Sequence, residues 1–115
     1  MTGRRAVAAT VAAVALVAAA VAPAVAIGGG HASSTHTVVL KSLRFHPSTL
    51  TINRGDSVMF LWRDNGERHN VTGRAFHSHT MGKGSYTVRF LGKGTFSYRC
   101  TIHEAEGMRG KVIVH

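Results

Sequence analysis

Short runs of β-forming residues, separated by turn signals, are the feature that most limits how this chain can fold. From Thr37 onward, apolar and polar residues alternate along TVVLKSLRF, SVMFLW, SYTVRF, TFSYRC and GKVIVH, which is the two-residue period of a half-buried strand. The alternation slips by one position at residues 42–43, which predicts a β-bulge there. No helical period of useful length follows residue 26. The pattern predicts an all-β sandwich built as a single domain.

The N-terminal segment has a different composition. A basic start, MTGRR, precedes a long uncharged Ala/Val run that closes on AVA, and these are the marks of a signal peptide cleaved after Ala26. The alternative is an uncleaved anchor, since Ala6–Ile27 is long enough to span a bilayer. We expect residues 1–26 to be the signal peptide, 27–36 a flexible Gly/Ser-rich lead-in and 37–115 the folded domain. The protein would then be exported, to the periplasm, the cell envelope or the medium.

The charge of the chain limits its partners. It has 14 Lys and Arg against 5 Asp and Glu, so an acidic partner would be attracted and its encounter accelerated. The basic residues are scattered singly, and no nucleic-acid-binding motif occurs. We therefore expect no nucleic-acid ligand, and a membrane contact only if the N-terminal segment is retained.

The stretch CTIHEAEGM holds the one cysteine of the chain, so no internal disulfide can form. Alternation along TFSYRC puts Cys100 on the inward face at the end of its strand, where the core meets a loop. Because EAEG is poor strand material, the chain must turn after Cys100 and can bring His103 back beside the sulfur. Gly107 then allows a second bend that delivers Met108. One short loop thus offers a thiolate, an imidazole and a thioether.

A fourth donor must come from another segment, and His69 is the best candidate among the remaining histidines. It follows the SVMFLW strand and its turn, in RHNV, and can lie at the same end of a sandwich as the Cys100 loop. The other histidines occupy the lead-in, turns, a polar loop and the terminus: His31, His36, His46, His77, His79 and His115. Whether His77 and His79 hold a second metal is left open by the sequence.

Two imidazoles, one thiolate and a thioether are the donors of a trigonal type 1 copper site. Thiolate is soft and stabilises Cu(I), and imidazole suits both oxidation states of copper. Zinc also takes His and Cys readily, so it is the alternative ion. The methionine favours copper, since a thioether is a poor ligand for zinc.

These residues resemble the small type 1 blue copper proteins, the cupredoxins, and in particular the plastocyanin and pseudoazurin group. The resemblance runs from Thr37 to His115 and includes FHPSTLTINRGDSVMFLWRDNGERHNV, GSYTVRF, GTFSYRC and CTIHEAEGMRGKVIV. It implies a Greek-key β-sandwich with one copper ion near one end. His69, Cys100 and His103 would be the equatorial ligands and Met108 the axial ligand.

The resemblance also implies supporting roles. Asn70 would tie the two ligand loops together through Thr101, and His103 would face the surface as the exit for electrons. Glu104 and Glu106 depart from the basic character of the chain and put docking by simple charge attraction in doubt.

As a function, the resemblance implies a monomeric one-electron carrier rather than an enzyme. Its partner would be a redox protein such as a cytochrome or a copper oxidase or reductase, and the basic charge of the chain favours an acidic one. The alternative is a copper carrier, storage or sensor module that shuttles no electrons.

Overall fold

Two four-stranded sheets build the protein over residues 32–115, which are the residues that the computed structural model describes. The expected signal peptide and the start of the lead-in, residues 1–31, lie outside the described residues. The strands are β1 (Thr35–Lys41), β2 (Arg44–His46), β3 (Thr49–Ile52), β4 (Ser57–Trp62), β5 (Thr72–Gly73), β6 (Gly84–Arg89), β7 (Gly94–Arg99) and β8 (Arg109–Val114).

The strand order is β2-β1-β4-β6 in the first sheet and β3-β8-β7-β5 in the second. Each sheet contains one parallel pair, β1 with β4 and β3 with β8, and its other neighbours are antiparallel. The chain passes between the sheets repeatedly, as in a Greek-key sandwich. The prediction of an all-β, cupredoxin-like sandwich is confirmed.

The inward faces of both sheets form one core, and the alternation along each strand selects its members. On β4, Val58, Phe60 and Trp62 are all buried, as their two-residue spacing predicts. The core also contains Val38, Leu40, Phe45, Ile52, Val71, Phe90, Tyr98, Cys100, Met108, Val112 and Val114. In the part of the chain that the structure describes, no helix has the length and apolar character needed to cross a membrane.

The predicted bulge at residues 42–43 is wrong. Ser42 and Leu43 both have positive φ, 54° and 56°, and connect β1 to β2 as a two-residue hairpin turn. Positive φ at both central positions is the requirement of a type I′ turn. A tight turn and a bulge both displace the alternation by one residue, so the sequence pattern alone does not separate them.

The first strand begins two residues before the predicted start of the domain. Thr35 and His36, which were expected in the flexible lead-in, pair in parallel with Ser57 and Val58 of β4. The His36 imidazole also contacts the buried Asp56 carboxylate, with 2.9 Å between Nε2 and Oδ2. The strand pairing and this contact order the segment, which its composition did not predict.

One end of the sandwich holds the candidate site. Leu40 pairs with Trp62 where β1 and β4 end, and Trp62 pairs with Gly84 where β6 begins. The indole Nε1–H of Trp62 donates to the His69 carbonyl at 2.9 Å. The core therefore fixes the backbone of the loop that carries His69.

Candidate metal centre

Three potential metal donors from two loops converge at this end of the sandwich. The donor atoms of His69, Cys100 and His103 all lie within 4.8 Å of one another. The two Nδ1 atoms are 3.1 Å apart, and Cys100 Sγ lies 3.9 Å from His69 Nδ1 and 3.6 Å from His103 Nδ1. Cys100 and His69 are fully buried.

The Cys100 loop turns as its composition predicts. The N–H of His103 donates to the carbonyl of Cys100 at 3.2 Å, and a short 3₁₀ turn follows at Glu104–Glu106. Gly107 takes φ of +89°, a conformation that favours glycine. The chain can therefore double back within a few residues and place His103 beside the sulfur.

Met108 is delivered to the same loop. Its N–H donates to the carbonyl of His103 at 3.2 Å, and its carbonyl accepts the N–H of Cys100 at 3.0 Å. The Met108 side chain is fully buried. The structure thus joins the backbone of Met108 to both donors of its loop.

The spacing of the three donors suits a single ion. A ligand nitrogen lies about 2.0–2.1 Å and a thiolate sulfur about 2.3 Å from a metal of this kind, so donors that share one ion stand roughly 3–4 Å apart. The distances of 3.1, 3.6 and 3.9 Å fall in that interval. The donor chemistry, one thiolate and two imidazoles, is that of a type 1 copper site.

A carboxylate that the sequence analysis missed orients His69. Asp64 Oδ2 lies 2.8 Å from His69 Nε2, on the side of the ring opposite the shared cluster. The same oxygen accepts the N–H of Leu43 in the β1–β2 turn at 3.1 Å. Burial acts to raise the pKa of Asp64, but hydrogen bonds from His69 and from the backbone of Leu43 and Ser42 outweigh it, and the pKa lies below its ordinary value. An ionised Asp64 therefore fixes which nitrogen of His69 faces the cluster.

A second carboxylate lies beside His103. Glu67 Oε2 is 3.2 Å from His103 Nε2, and the side chains of His103 and Glu67 are 14% and 50% exposed. The neighbouring Ile102 is one of the two large apolar side chains exposed on the described surface. His103 thus reaches the surface near an apolar and an acidic residue, and no local sequence pattern points to the acidic one.

The turns near Gly66 and Gly82 touch each other. A Cβ on Gly82 would lie 2.6 Å from the Gly66 carbonyl oxygen, so the approach requires glycine. His69 pairs with Met81 through two backbone hydrogen bonds of 3.0 and 3.1 Å. The loop that carries His69 is therefore anchored on both sides.

Asn70 and Thr101 meet in the position that the resemblance implies. The Asn70 amide donates to Thr101 Oγ1 at 2.8 Å and to Thr80 Oγ1 at 2.9 Å. The backbone N–H of Asn70 points at Cys100 Sγ, 3.5 Å away. A donor aimed at the sulfur stabilises a thiolate and tunes its bonding to a metal.

Among residues 32–115, the other histidines do not join this cluster. His46 Nε2 contacts the Lys41 carbonyl at 2.9 Å, and His36 contacts Asp56. Within residues 32–115, His77 and His79 belong to no group of three metal donors. His31 lies outside the described residues.

The sandwich and its thiolate–imidazole cluster define the class of protein, a cupredoxin. The chain belongs to the copper binding proteins of the plastocyanin/azurin family, whose profile matches residues 32–115. Copper is the cofactor of that family, and His69, Cys100 and His103 lie close enough together to bind one ion as in type 1 sites.

Individual relatives support this assignment. A chloroplastic plastocyanin of Tetradesmus obliquus is 35% identical over 91 residues, covering 64% of this chain and 59% of its own length. The halocyanin of Natronomonas pharaonis is 32% identical over 77 residues, covering 61% of this chain and 47% of its own length. The chain thus spans about half to three fifths of the length of these curated relatives.

Solved structures show the same fold. An amicyanin variant with Cu(I) superposes with a TM-score of 0.62 at 27% identity, covering 70% of this chain and 82% of that one. Pseudoazurin of Methylobacterium extorquens AM1 superposes with a TM-score of 0.60 at 26% identity, covering 70% of this chain and 74% of that one.

Proposed function

We propose that this protein is a one-electron carrier that uses a single type 1 copper site. The observation that carries the proposal is the convergence of Cys100 Sγ and two imidazole Nδ1 atoms within 3.1–3.9 Å in a member of a copper-binding family. When bound, copper supplies a Cu(II)/Cu(I) couple that accepts or releases one electron.

In this proposal the chain supplies all the ligands. His69, Cys100 and His103 would hold the ion, and the buried thioether of Met108 would be the fourth, weaker donor. Such a closed site suits electron exchange, whereas catalysis at a metal usually needs an open coordination position. For this reason we propose a carrier and not an enzyme.

The chain also limits rearrangement at the site. Asp64 fixes the tautomer of His69, and the Asn70 N–H supports the thiolate charge. Burial of His69, Cys100 and Met108 excludes water from the donors. Ligands held in this way fit both oxidation states with little movement, which is the requirement for fast electron exchange.

The location, oligomeric state and partner of the protein belong to the same proposal. The protein would act outside the cytoplasm after cleavage of the signal peptide at Ala26, or attached to a membrane if that segment is retained. It would work as a monomer and exchange electrons with a redox protein. The excess of basic residues favours an acidic partner.

The test is spectroscopic. The protein expressed from the full sequence is loaded with Cu(II), and its visible absorption and electron paramagnetic resonance are recorded beside those of Cys100→Ala. An intense thiolate charge-transfer band with compressed copper hyperfine splitting, bleached by reductant and absent from the variant, is the expected result. A pale Cu(II) spectrum that is indifferent to Cys100 would refute the carrier and favour a copper-handling module.

A further inference from the structure

A basic groove lies on the outer face of the second sheet, beside the Cys100 loop. It has a volume of about 440 Å³. Its lining residues come from the start of β3, the end of β7, the loop and the start of β8: Ser48, Thr49, Ser97, Tyr98, Arg99, Glu104, Arg109, Gly110 and Lys111. The exposed members alternate along β7 and β8 with the buried Tyr98 and Val112, so their side chains project away from the core.

The groove carries an excess of positive charge. Its lining contains three cations, Arg99, Arg109 and Lys111, against the single carboxylate of Glu104. Arg99 Nε lies 3.1 Å from Glu104 Oε1, and Arg109 Nη2 lies 2.9 Å from Glu104 Oε2. Lys111 forms no ion pair within the described residues. A second carboxylate could therefore enter without displacing an existing pair.

Three of the other four acidic residues have partners elsewhere, and the fourth, Glu106, is exposed on the Cys100 loop. Asp56 contacts His36, Asp64 contacts His69, and Glu67 contacts His103. None of them lines the groove. The groove thus combines positive charge and hydroxyl groups in one open depression of the described surface.

The groove is also joined directly to the candidate copper ligands. Arg99 is bonded to Cys100, so their Cα atoms are about 3.8 Å apart. Glu104, which forms ion pairs with both arginines, follows His103 in the chain. A protein bound in the groove would therefore contact Arg99, which is the sequence neighbour of Cys100.

We propose that this groove is the docking surface for an acidic patch on the redox partner, a proposal that rests on the proposed function. Arg99 and Arg109 present guanidinium groups that pair with carboxylates in fixed geometry. Lys111 adds an unpaired charge that steers encounter. The surface beside His103 carries the Glu67 carboxylate, which repels an acidic partner. An acidic partner should therefore bind in the groove and not at that surface.

The first experiment compares two charge reversals with the same change in net charge. Lys111→Glu alters the groove. Lys93→Glu alters an exposed residue in the β6–β7 turn, six residues from Arg99 and roughly 20 Å away along an extended strand. Ferricyanide, an anionic oxidant, is mixed with each reduced, copper-loaded protein, and the second-order rate of oxidation is followed optically.

We expect Lys111→Glu to slow oxidation by about threefold or more relative to Lys93→Glu at low ionic strength, because Lys111 lines the groove beside the Cys100 loop whereas Lys93 lies at the opposite end of β7. The difference should shrink in high salt. Equal slowing by the two variants would overturn the proposal, since it would show only an effect of net charge.

The second experiment locates the contact of an acidic chain without using the copper signal. Poly-L-glutamate is titrated into the unmodified ¹⁵N-labelled protein, and amide shifts are followed by nuclear magnetic resonance. Shifts centred on Ser97, Arg99 and Lys111 support the groove. Shifts spread evenly over all basic residues, or centred on Lys93, overturn it. Because this titration needs no thiolate absorption band, it separates failure of the groove from failure of the copper carrier.

Discussion

Asn70 and Thr101 exchange two hydrogen bonds across the gap between the two loops of the metal centre. The Asn70 amide donates to Thr101 Oγ1 at 2.8 Å, and the Thr101 backbone N–H donates to Asn70 Oδ1 at 3.0 Å. Each residue directly follows a proposed ligand, His69 in one loop and Cys100 in the other. The pair therefore sets the distance between an imidazole and the thiolate in the absence of metal.

Truncation of Asn70 should weaken the whole fold. Asn70 is 4% exposed, and Asn70→Ala leaves the Thr101 N–H without its acceptor. We expect the free energy of unfolding to fall by about 2–3 kcal/mol, since buried polar groups left unpaired cost about 1–3 kcal/mol each. Urea denaturation of the metal-free protein measures this. The exposed Asn53→Ala should change stability by less than about 0.5 kcal/mol, and an equal loss in both variants would show that the pair is not special.

Removal of the Asp64 carboxylate should weaken metal binding. Asp64→Ala frees the His69 ring, and we expect copper affinity to fall about 10–100-fold, the usual effect of losing a residue that orients a ligating histidine. Asp64→Asn keeps an oxygen that can accept a hydrogen bond from His69 Nε2, so this variant should lose less copper affinity. Competition against a copper chelator gives both affinities. Unchanged affinity in Asp64→Ala would show that packing alone holds His69.

Neutralising Glu67 should raise the reduction potential of the copper site. Glu67→Gln removes a negative charge 3.2 Å from His103 Nε2, which favours the reduced, less positive ion. At an effective dielectric near that of water the effect is about 0.5–1 kcal/mol, or about 20–45 mV. Voltammetry measures the shift. Glu106→Gln is the control because Glu106 is exposed and contacts neither imidazole; an equal shift in both variants would contradict a specific effect.

The strands and the ligand loop could be predicted because both depend on local pattern. Alternation identified the buried face of β4, and the lack of strand-forming residues after Cys100 identified the turn. The parallel pairing of β1 with β4 could not be predicted, since it depends on contacts far apart in the sequence. The two-residue strand β5 is too short to show a period.

The carboxylates of the site were missed for a different physical reason. Asp64 and Glu67 lie in a polar turn, where acidic residues are usually solvated. Their contacts with His69 and His103 exist only after the turn folds back over the Cys100 loop. The Asn70–Thr101 pair was anticipated through resemblance to a family and not from the physics of the sequence.

A methyl group at Gly110 should destabilise the core. A Cβ there would lie 2.6 Å from the Tyr98 hydroxyl oxygen and 2.7 Å from its Cζ. Tyr98 cannot move freely, since its ring packs edge-to-face on Phe45 and Phe60. We expect Gly110→Ala to cost about 1–3 kcal/mol, as overpacking does, and to lower Tm by roughly 4–8 °C per kcal/mol.

Calorimetry of the same protein with Gly92→Ala provides the control. A Cβ on Gly92 meets no atom within 4 Å, so this variant should unfold near the temperature of the unmodified protein. A Gly110→Ala protein that is equally stable would mean that the second sheet shifts to accept the methyl group.

Removing the Tyr98 hydroxyl should stabilise the protein, most of all in alkali. This oxygen is buried without a hydrogen-bond partner in the described structure, and burial raises the pKa of Tyr98 well above its ordinary value. Tyr98→Phe keeps the ring packing and removes the unpaired group, so we expect a gain of up to about 1–3 kcal/mol at neutral pH.

The pH dependence follows from the raised pKa of Tyr98. Above about pH 10 the unfolded chain loses the phenolic proton while the folded protein keeps it, so stability falls by up to about 1.4 kcal/mol per pH unit. Tyr98→Phe should lack the part of this loss that comes from Tyr98. Tyr86→Phe is the matched control. Burial raises the pKa of Tyr86 too, although a hydrogen bond from the His77 backbone to its hydroxyl acts to lower that pKa. Because this hydroxyl has a partner, Tyr86→Phe should not gain stability at neutral pH. Urea titrations at pH 7 and pH 10.5 test both variants, and a Tyr98→Phe protein less stable than the unmodified one would show that the hydroxyl is hydrogen-bonded in solution.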